Sequence, residues 1–194
     1  MQFHSMFNLL EKYLRERDNI DDEKLQYIFK HFKRIKTKRN QILLNYDEVC
    51  MHNYFINKGC LRIFTVNNAG IESSRNFFFE GSFGTALPSL IDQKPANEYV
   101  QTIEPSELLV ISKDDYFKLI EEIPACRKIY REKIELGYIY AQQRIYTFQG
   151  MDALEKVKWL MNHQPTFLLR VSNKMAASYL GISPSTLSRI KTKL

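Results

Sequence analysis

Apolar residues recur along this chain in three successive rhythms. Near the start, Phe3, Phe7, Leu10 and Leu14 stand four, three and four residues apart. That is the spacing of one helix face, so residues 5–17 are predicted as an amphipathic helix with Ser5 a candidate cap. A second short helix is predicted with Asp21 or Asp22 at its start and Leu25, Ile28, Phe29 and Phe32 on one face. From Gln41 the texture changes to short runs rich in β-branched and aromatic residues: QILL, YFI, CLRIFTV, IESSRNFFF, YVQTI and ELLVIS. Turn-forming segments separate them at Asn57-Lys58-Gly59, residues 68–70 (NAG), Gly81 to Gly84 and Pro105-Ser106. Many short strands without long helices between them predict a small antiparallel barrel or roll.

After Ser112 the helical spacing returns. Asp114 to Glu121 reads as a short helix, and Pro124 suits the first position of a long one. Along residues 124–149, Tyr130, Ile134, Gly137, Ala141, Ile145 and Phe148 form one stripe, with Ile129, Leu136 and Tyr140 beside it. A helix of ~25 residues, ~38 Å long, with two apolar stripes needs two surfaces to pack on. One is its own roll; the other is predicted to be the same helix of a second copy. Gly150 is expected to break it. The remainder reads as all-helical, with one helix at 152–163 (Leu154, Val157, Leu160, Met161) followed by two shorter ones. The expected class is therefore α+β: an N-terminal β-roll with its helices over residues 1–118, a long dimerisation helix over 119–149, and a helical domain over 150–194. There is no internal repeat. The run KHFKRIKTKR (residues 30–39) is read as a solvated edge beside the first strand.

Composition narrows the class further. The 194 residues are 44% hydrophobic and 26% charged, too apolar for a disordered chain. The longest aliphatic run, Leu108 to Ile111, is far below the ~20 residues of a membrane span. No signal peptide is read in the N-terminus. Three cysteines (Cys50, Cys60, Cys126) make no disulfide framework, and a cytoplasmic, reducing location is expected. Of the net charge of +6, residues 151–194 carry +5. A basic module beside a nearly neutral body points to a polyanionic partner.

Residues 173–194, NKMAASYLGISPSTLSRIKTKL, give that charge a purpose. A helix-turn-helix needs a small side chain where its helices cross, a left-handed corner and an immediate restart of the second helix. Ala177, Gly181 and Ser183-Pro184 supply these in order, and Ala176, Leu180, Ile182, Leu187 and Ile190 fill the shared core. On the second helix Leu187, Ile190 and Leu194 should point inward, and Ser185, Ser188, Arg189 and Thr192 outward. Short hydroxyls around one arginine suit the major groove, where a guanidinium can give two hydrogen bonds to one guanine. Ser172, Lys174, Ser183 and Thr186 are placed for phosphate oxygens, and Pro184 opens the reading helix. Double-stranded DNA is thus the expected partner. The alternative is a β-roll ligand-binding or scaffold protein whose helical tail docks another protein. No nucleophile–base pair, phosphate loop or carboxylate pair is found, so an enzyme is not expected. Cys50, His52 and Cys60 form no recognised metal site, and neither metal nor cofactor is expected.

The segments ASYLGISPSTLSRI, INKGCLRIF and FFFEGSFGTA, with the long central helix, together resemble the Crp/Fnr family of bacterial transcription regulators. The resemblance is to short members that end just after the recognition helix, since the chain stops at Leu194 without a wing. It implies a β-roll of the cyclic-nucleotide-binding type, a homodimer, palindromic promoter sites and contact with RNA polymerase. It also implies an effector pocket around Phe83, Gly84, Thr85, Ala96 and Asn97. In relatives that bind cyclic nucleotides, a glutamate holds the ribose and an arginine the phosphate; here those positions fall at Thr85 and Ala96. An anion buried without a charged partner is costly, so cyclic AMP is not the expected effector, and the effector itself stays unnamed.

Overall fold

The computed structural model describes residues 2–193. The stripe positions Phe3 and Leu194 and the capping side chain of Ser5 lie outside the described side chains. The chain folds as two compact units. One holds residues 2–63 and 77–134; the other holds residues 64–76 and 135–193.

The first unit begins with α1 (Gln2–Arg15) and α2 (Asp22–Lys30). Asp21 caps α2 by accepting from the Lys24 amide at 2.8 Å. Eight strands follow: β1 (Lys33–Thr37), β2 (Ile42–Leu44), β3 (His52–Lys58), β4 (Leu61–Val66), β5 (Glu72–Phe78), β6 (Phe83–Gly84), β7 (Tyr99–Thr102) and β8 (Ser106–Ser112). A short α3 (Leu87–Asp92) sits between β6 and β7, and α4 (Lys113–Glu122) follows β8. The strands make two four-stranded sheets, ordered β1-β8-β3-β6 and β2-β7-β4-β5. The expected antiparallel roll is present.

In this unit three elements differ from the sequence reading. The basic run at 30–39 is not beside the first strand but forms it: Lys33 to Thr37 pair antiparallel with Val110 to Ser106. Its lysines and Arg34 are exposed on a sheet edge, where charge guards against further strand pairing. Because those residues have weak strand preference, the run read as solvated charge. Helix α3 is short, and Pro88 lies in its first turn, so no periodicity marked it. Helix α1 starts at Gln2 rather than residue 5, which puts Ser5 inside it.

The core of this unit is a seam between helices and sheet. Phe7, Leu10 and Leu14 of α1 and Leu25, Ile28 and Phe29 of α2 bury against Phe55, Phe83, Leu109 and Ile111. The Phe7 and Phe29 rings stack at 4.5 Å, and Phe83 lies 5.0 Å from Phe55 and 5.4 Å from Tyr13. The second unit is built on α5 (Pro124–Gly150), which begins in the first unit. It adds α6 (Ala153–His163), α7 (Phe167–Arg170), α8 (Asn173–Leu180) and α9 (Pro184–Lys191). Asp152 caps α6 and Glu155 bonds back to its amide, a complete capping box. The four-residue α7 is an addition to the two short helices expected. No helix among the described residues is long and apolar enough to cross a membrane.

Gly59 joins β3 to β4 at φ +104°, and a Cβ there would lie 2.9 Å from the Ser106 Cα. Gly59→Ala should lower the unfolding free energy by about 2 kcal/mol or more. Urea titration at one fixed protein concentration, with unchanged slope, checks this.

Candidate functional site

The α8–α9 pair begins with a cap and turns on a glycine. Ser172 caps α8, its Oγ accepting from the Met175 amide at 3.3 Å. The helix ends at Gly181, which adopts φ 67°, ψ 34°, the left-handed corner that a Cβ would strain. Ile182 N–H donates back to Ala177 at 3.1 Å. Ser183 then caps α9, accepting from the Thr186 amide at 3.0 Å, with Pro184 in the first turn. Ala176, Ala177, Leu180 and Leu187 are fully buried at the crossing, while Ile182 and Ile190 are half-buried at its rim.

The outer face of α9 is open. Ser185, Ser188, Arg189 and Thr192 are all exposed, as are Lys174, Ser172, Ser183 and Pro184. Thr186 is half-buried and joins the cap, 2.8 Å from the Ser183 hydroxyl. Thr192 ends α9 and donates to the Ser188 carbonyl at 3.0 Å. Asn173 was missed by sequence reasoning: its side-chain amide donates to the Pro184 carbonyl at 2.9 Å, tying the starts of α8 and α9 together. An asparagine in a helix's first turn reads from sequence as surface, so nothing marked it.

Arg144 of α5 holds α8 from behind. Its guanidinium lies 4.2 Å over the Tyr179 ring and 5.0 Å over Phe148, donates to the Tyr179 carbonyl at 3.3 Å and also to the Arg75 carbonyl. Burial lowers its proton affinity, yet a guanidinium stays charged. Ser178 of α8 accepts from the Ser74 amide at 3.1 Å and donates to the Ser74 hydroxyl at 2.7 Å. These contacts lie within the second unit, which includes the tip of the β4–β5 hairpin.

In the roll, four of the five expected pocket residues, Phe83, Gly84, Thr85 and Ala96, are buried. Phe83 is core. Gly84 is needed because a Cβ would meet the Phe78 ring at 2.8 Å. Thr85 is buried and donates to the His52 carbonyl at 2.8 Å, with the Cys50 sulfur at 3.2 Å. Ala96 is buried against Leu44, Cys50 and Leu90, whereas Asn97 is exposed. Ser89 accepts from the Cys50 amide at 2.9 Å and donates to the Lys94 carbonyl at 2.5 Å. The Thr85 and Ser89 hydroxyls thus already spend their hydrogens on the chain itself. Cys50 and Cys60 are buried free thiols, and no cluster of metal ligands exists among the described residues.

A partly open apolar space lies elsewhere in the first unit, between α1, α2, β6, α4 and the start of α5. Its cationic group, Lys133, is drawn down to a pKa of about 7 by desolvation, and burial raises the Cys126 thiol to about 11. Burial also keeps the Tyr116 phenol protonated. Sequence could have marked Lys133, because it continues the spacing of Ile129, Leu136 and Tyr140 and so interrupts an apolar stripe with a charge.

With this geometry in view, the comparisons with known proteins are coherent. Residues 34–123 match the cyclic nucleotide-binding domain family. FixK2 from Bradyrhizobium japonicum superposes with TM-score 0.73 at 16% identity, over 84% of this chain and 84% of that one. The c-di-GMP responsive global regulator CLP of Xanthomonas campestris gives 0.69 at 16% identity, covering 89% and 91%. The catabolite activator protein of Thermus thermophilus gives 0.55 at 19%, covering 91% and 84%. No curated protein sequence matches. Residues 34–123 are thus similar to the cyclic nucleotide-binding domain family, and the fold of the chain is shared with these solved structures.

Removing the α9 cap with Ser183→Ala should cost about 1 kcal/mol of stability, and Ser185→Ala less than about 0.5 kcal/mol. Equilibrium urea unfolding at matched protein concentration distinguishes the two.

Proposed function

We propose that the chain is a sequence-specific, DNA-binding transcription regulator acting as a homodimer in the cytoplasm. The carrying observation is the α8–Gly181–Ser183–α9 corner with Ser185, Ser188, Arg189 and Thr192 exposed on one helix face. The reading assigns Arg189, Ser185, Ser188 and Thr192 to base edges. It assigns Ser172, Lys174, Ser183 and Thr186 to phosphates, which fix register without reading sequence. Residues 150–194 would be the DNA-binding domain and residues 1–118 the sensor.

Helix α5 supports the dimer. Leu136, Tyr138, Ile139, Tyr140, Ile145 and Tyr146 are all about half exposed or more, an apolar surface that a lone chain would leave in water. The same helix of a second copy would cover it and pair two recognition helices on half-sites about 34 Å apart. RNA polymerase is the further partner this reading implies. No residue is assigned a catalytic role.

The sensor is proposed not to respond to cyclic AMP. Thr85 and Ala96 stand where an anion would need donors and a cation, and burying a phosphate there would forfeit about 1.5–3 kcal/mol per missing charged hydrogen bond. Isothermal calorimetry should show no binding of cyclic AMP; micromolar affinity would refute this part.

The DNA assignment is tested on duplexes selected from genomic fragments. Arg189→Ala should lose about 1–3 kcal/mol of preference between cognate and random duplex. Lys174→Ala should weaken both equally and flatten the log–log salt slope by about 0.9. Identical losses on both duplexes by both variants would refute the division of roles, and no binding to any duplex at low salt would refute the function.

A further inference from the structure

The space beneath Phe83 has a volume of about 40 Å³ and is lined by apolar side chains including Phe32, Phe83, Leu119 and Ile129. Such a lining alone would be an ordinary packing gap. Lys133 makes it different. Its Nζ sits 4.9 Å from the centre of the Phe83 ring. The residue as a whole is half-buried, and no hydrogen-bond acceptor or carboxylate among the described residues pairs with the amine. A lysine almost always keeps its ammonium in water or against an acidic partner, since an unpaired ammonium in apolar surroundings is strongly disfavoured.

The surrounding groups cannot supply the missing charge. From α1 comes Tyr13, its ring covered by the Arg17 guanidinium at 3.7 Å; from α4 comes Tyr116. From α5 itself come Cys126 and Tyr130, while α2 and β6 offer only Ile28 and Phe83. Tyr13, Tyr116 and Cys126 are held in their neutral forms by burial. Glu132, next in sequence, acts electrostatically on Tyr13 but makes no ion pair with Lys133. The site therefore combines an apolar wall, neutral phenols and one cation without a counter-ion, the composition of a small-molecule site rather than a structural one.

We propose that this cavity binds the anion of a small apolar monocarboxylic acid, its carboxylate paired with the Lys133 ammonium and its hydrocarbon end against Phe32, Phe83 and Ile129. A space of this size suits a chain of about two to four carbons. The proposal names an effector class for the sensor half of the regulator reading, and rests on that reading only for its consequence at DNA. The binding itself is independent of any duplex.

The experiment uses the full chain with butyrate, and butyramide as its neutral counterpart. Calorimetry at about pH 6 should give butyrate a Kd of about 1 mM or tighter and at least tenfold tighter than butyramide. Because the free amine loses its proton near pH 7, the apparent Kd should weaken by up to tenfold per pH unit above that point. Lys133→Met should weaken butyrate at least tenfold, while Lys118→Met, at an exposed position on α4, should not. In the unmodified chain butyrate, but not butyramide, should protect Lys133 from acetylation as mapped by mass spectrometry, a readout that needs no folded variant. Equal binding of acid and amide, no binding at about 10 mM, or unprotected Lys133 would overturn the proposal. A chain that binds butyrate but no duplex keeps this proposal and overturns the regulator reading; one that binds duplex but not butyrate does the reverse.

Discussion

A single helix has to satisfy two bodies of protein, and much else follows from that constraint. At 1.5 Å per residue, the 27 residues of α5 span about 40 Å, too far for one small core to cover. Its first turns bury Ile129 in the seam with α1, α2 and the roll. Its last turns pack Phe148 against Trp159 and Tyr179, with Arg144 over the aromatic faces. The stretch between carries Leu136, Tyr138, Ile139 and Tyr140, each about half exposed or more. Each end of the helix thus packs within its own unit, while the middle keeps apolar side chains exposed.

The roll pairs a common frame with its own internal hydrogen bonds. The domain match over residues 34–123 and the two-sheet topology preserve a familiar frame. Within it, Thr85, Ser89 and Ala96 close on Cys50 and neighbouring carbonyls instead of presenting donors to an anion. Each hydroxyl satisfied internally is one fewer donor for an incoming phosphate, and restoring it would leave a buried carbonyl unpaired. The unpaired cation appears instead at Lys133, on a different wall of the same unit. Electrostatics thus moves the point of interest from the strands' loops to the helical seam.

At the C-terminus the corner is fixed locally. Gly181 allows the reversal, Ser183 ends the resulting run of free amides, and Ala176 and Ala177 let two helices approach closely. Asn173 adds a side-chain tie between their starts. Beyond this corner Ser185, Ser188, Arg189 and Thr192 stay exposed on α9, bonded only to neighbouring groups such as the Ser183 hydroxyl and the Ser188 carbonyl.

What could be read from the sequence and what could not divides by how far along the chain the deciding partner lies. The helix spacings of α2, α4, α5 and α6, most strands and the Ala177–Gly181–Ser183-Pro184 corner are set by neighbours within four residues, so composition and periodicity reveal them. The basic β1 did not reveal itself, because its strand state comes from pairing with β8, some seventy residues away. Nor did the roles of Arg144, Ser178 and Asn173, which depend on partners brought in by the fold. Lys133 shows the boundary most clearly: its place in an apolar stripe was visible in the order of residues, but the absence of a counter-ion was not. Local order fixes which side chains share a face; only the packed structure decides which charges find partners, since Coulomb and desolvation energies depend on distance through space rather than along the chain.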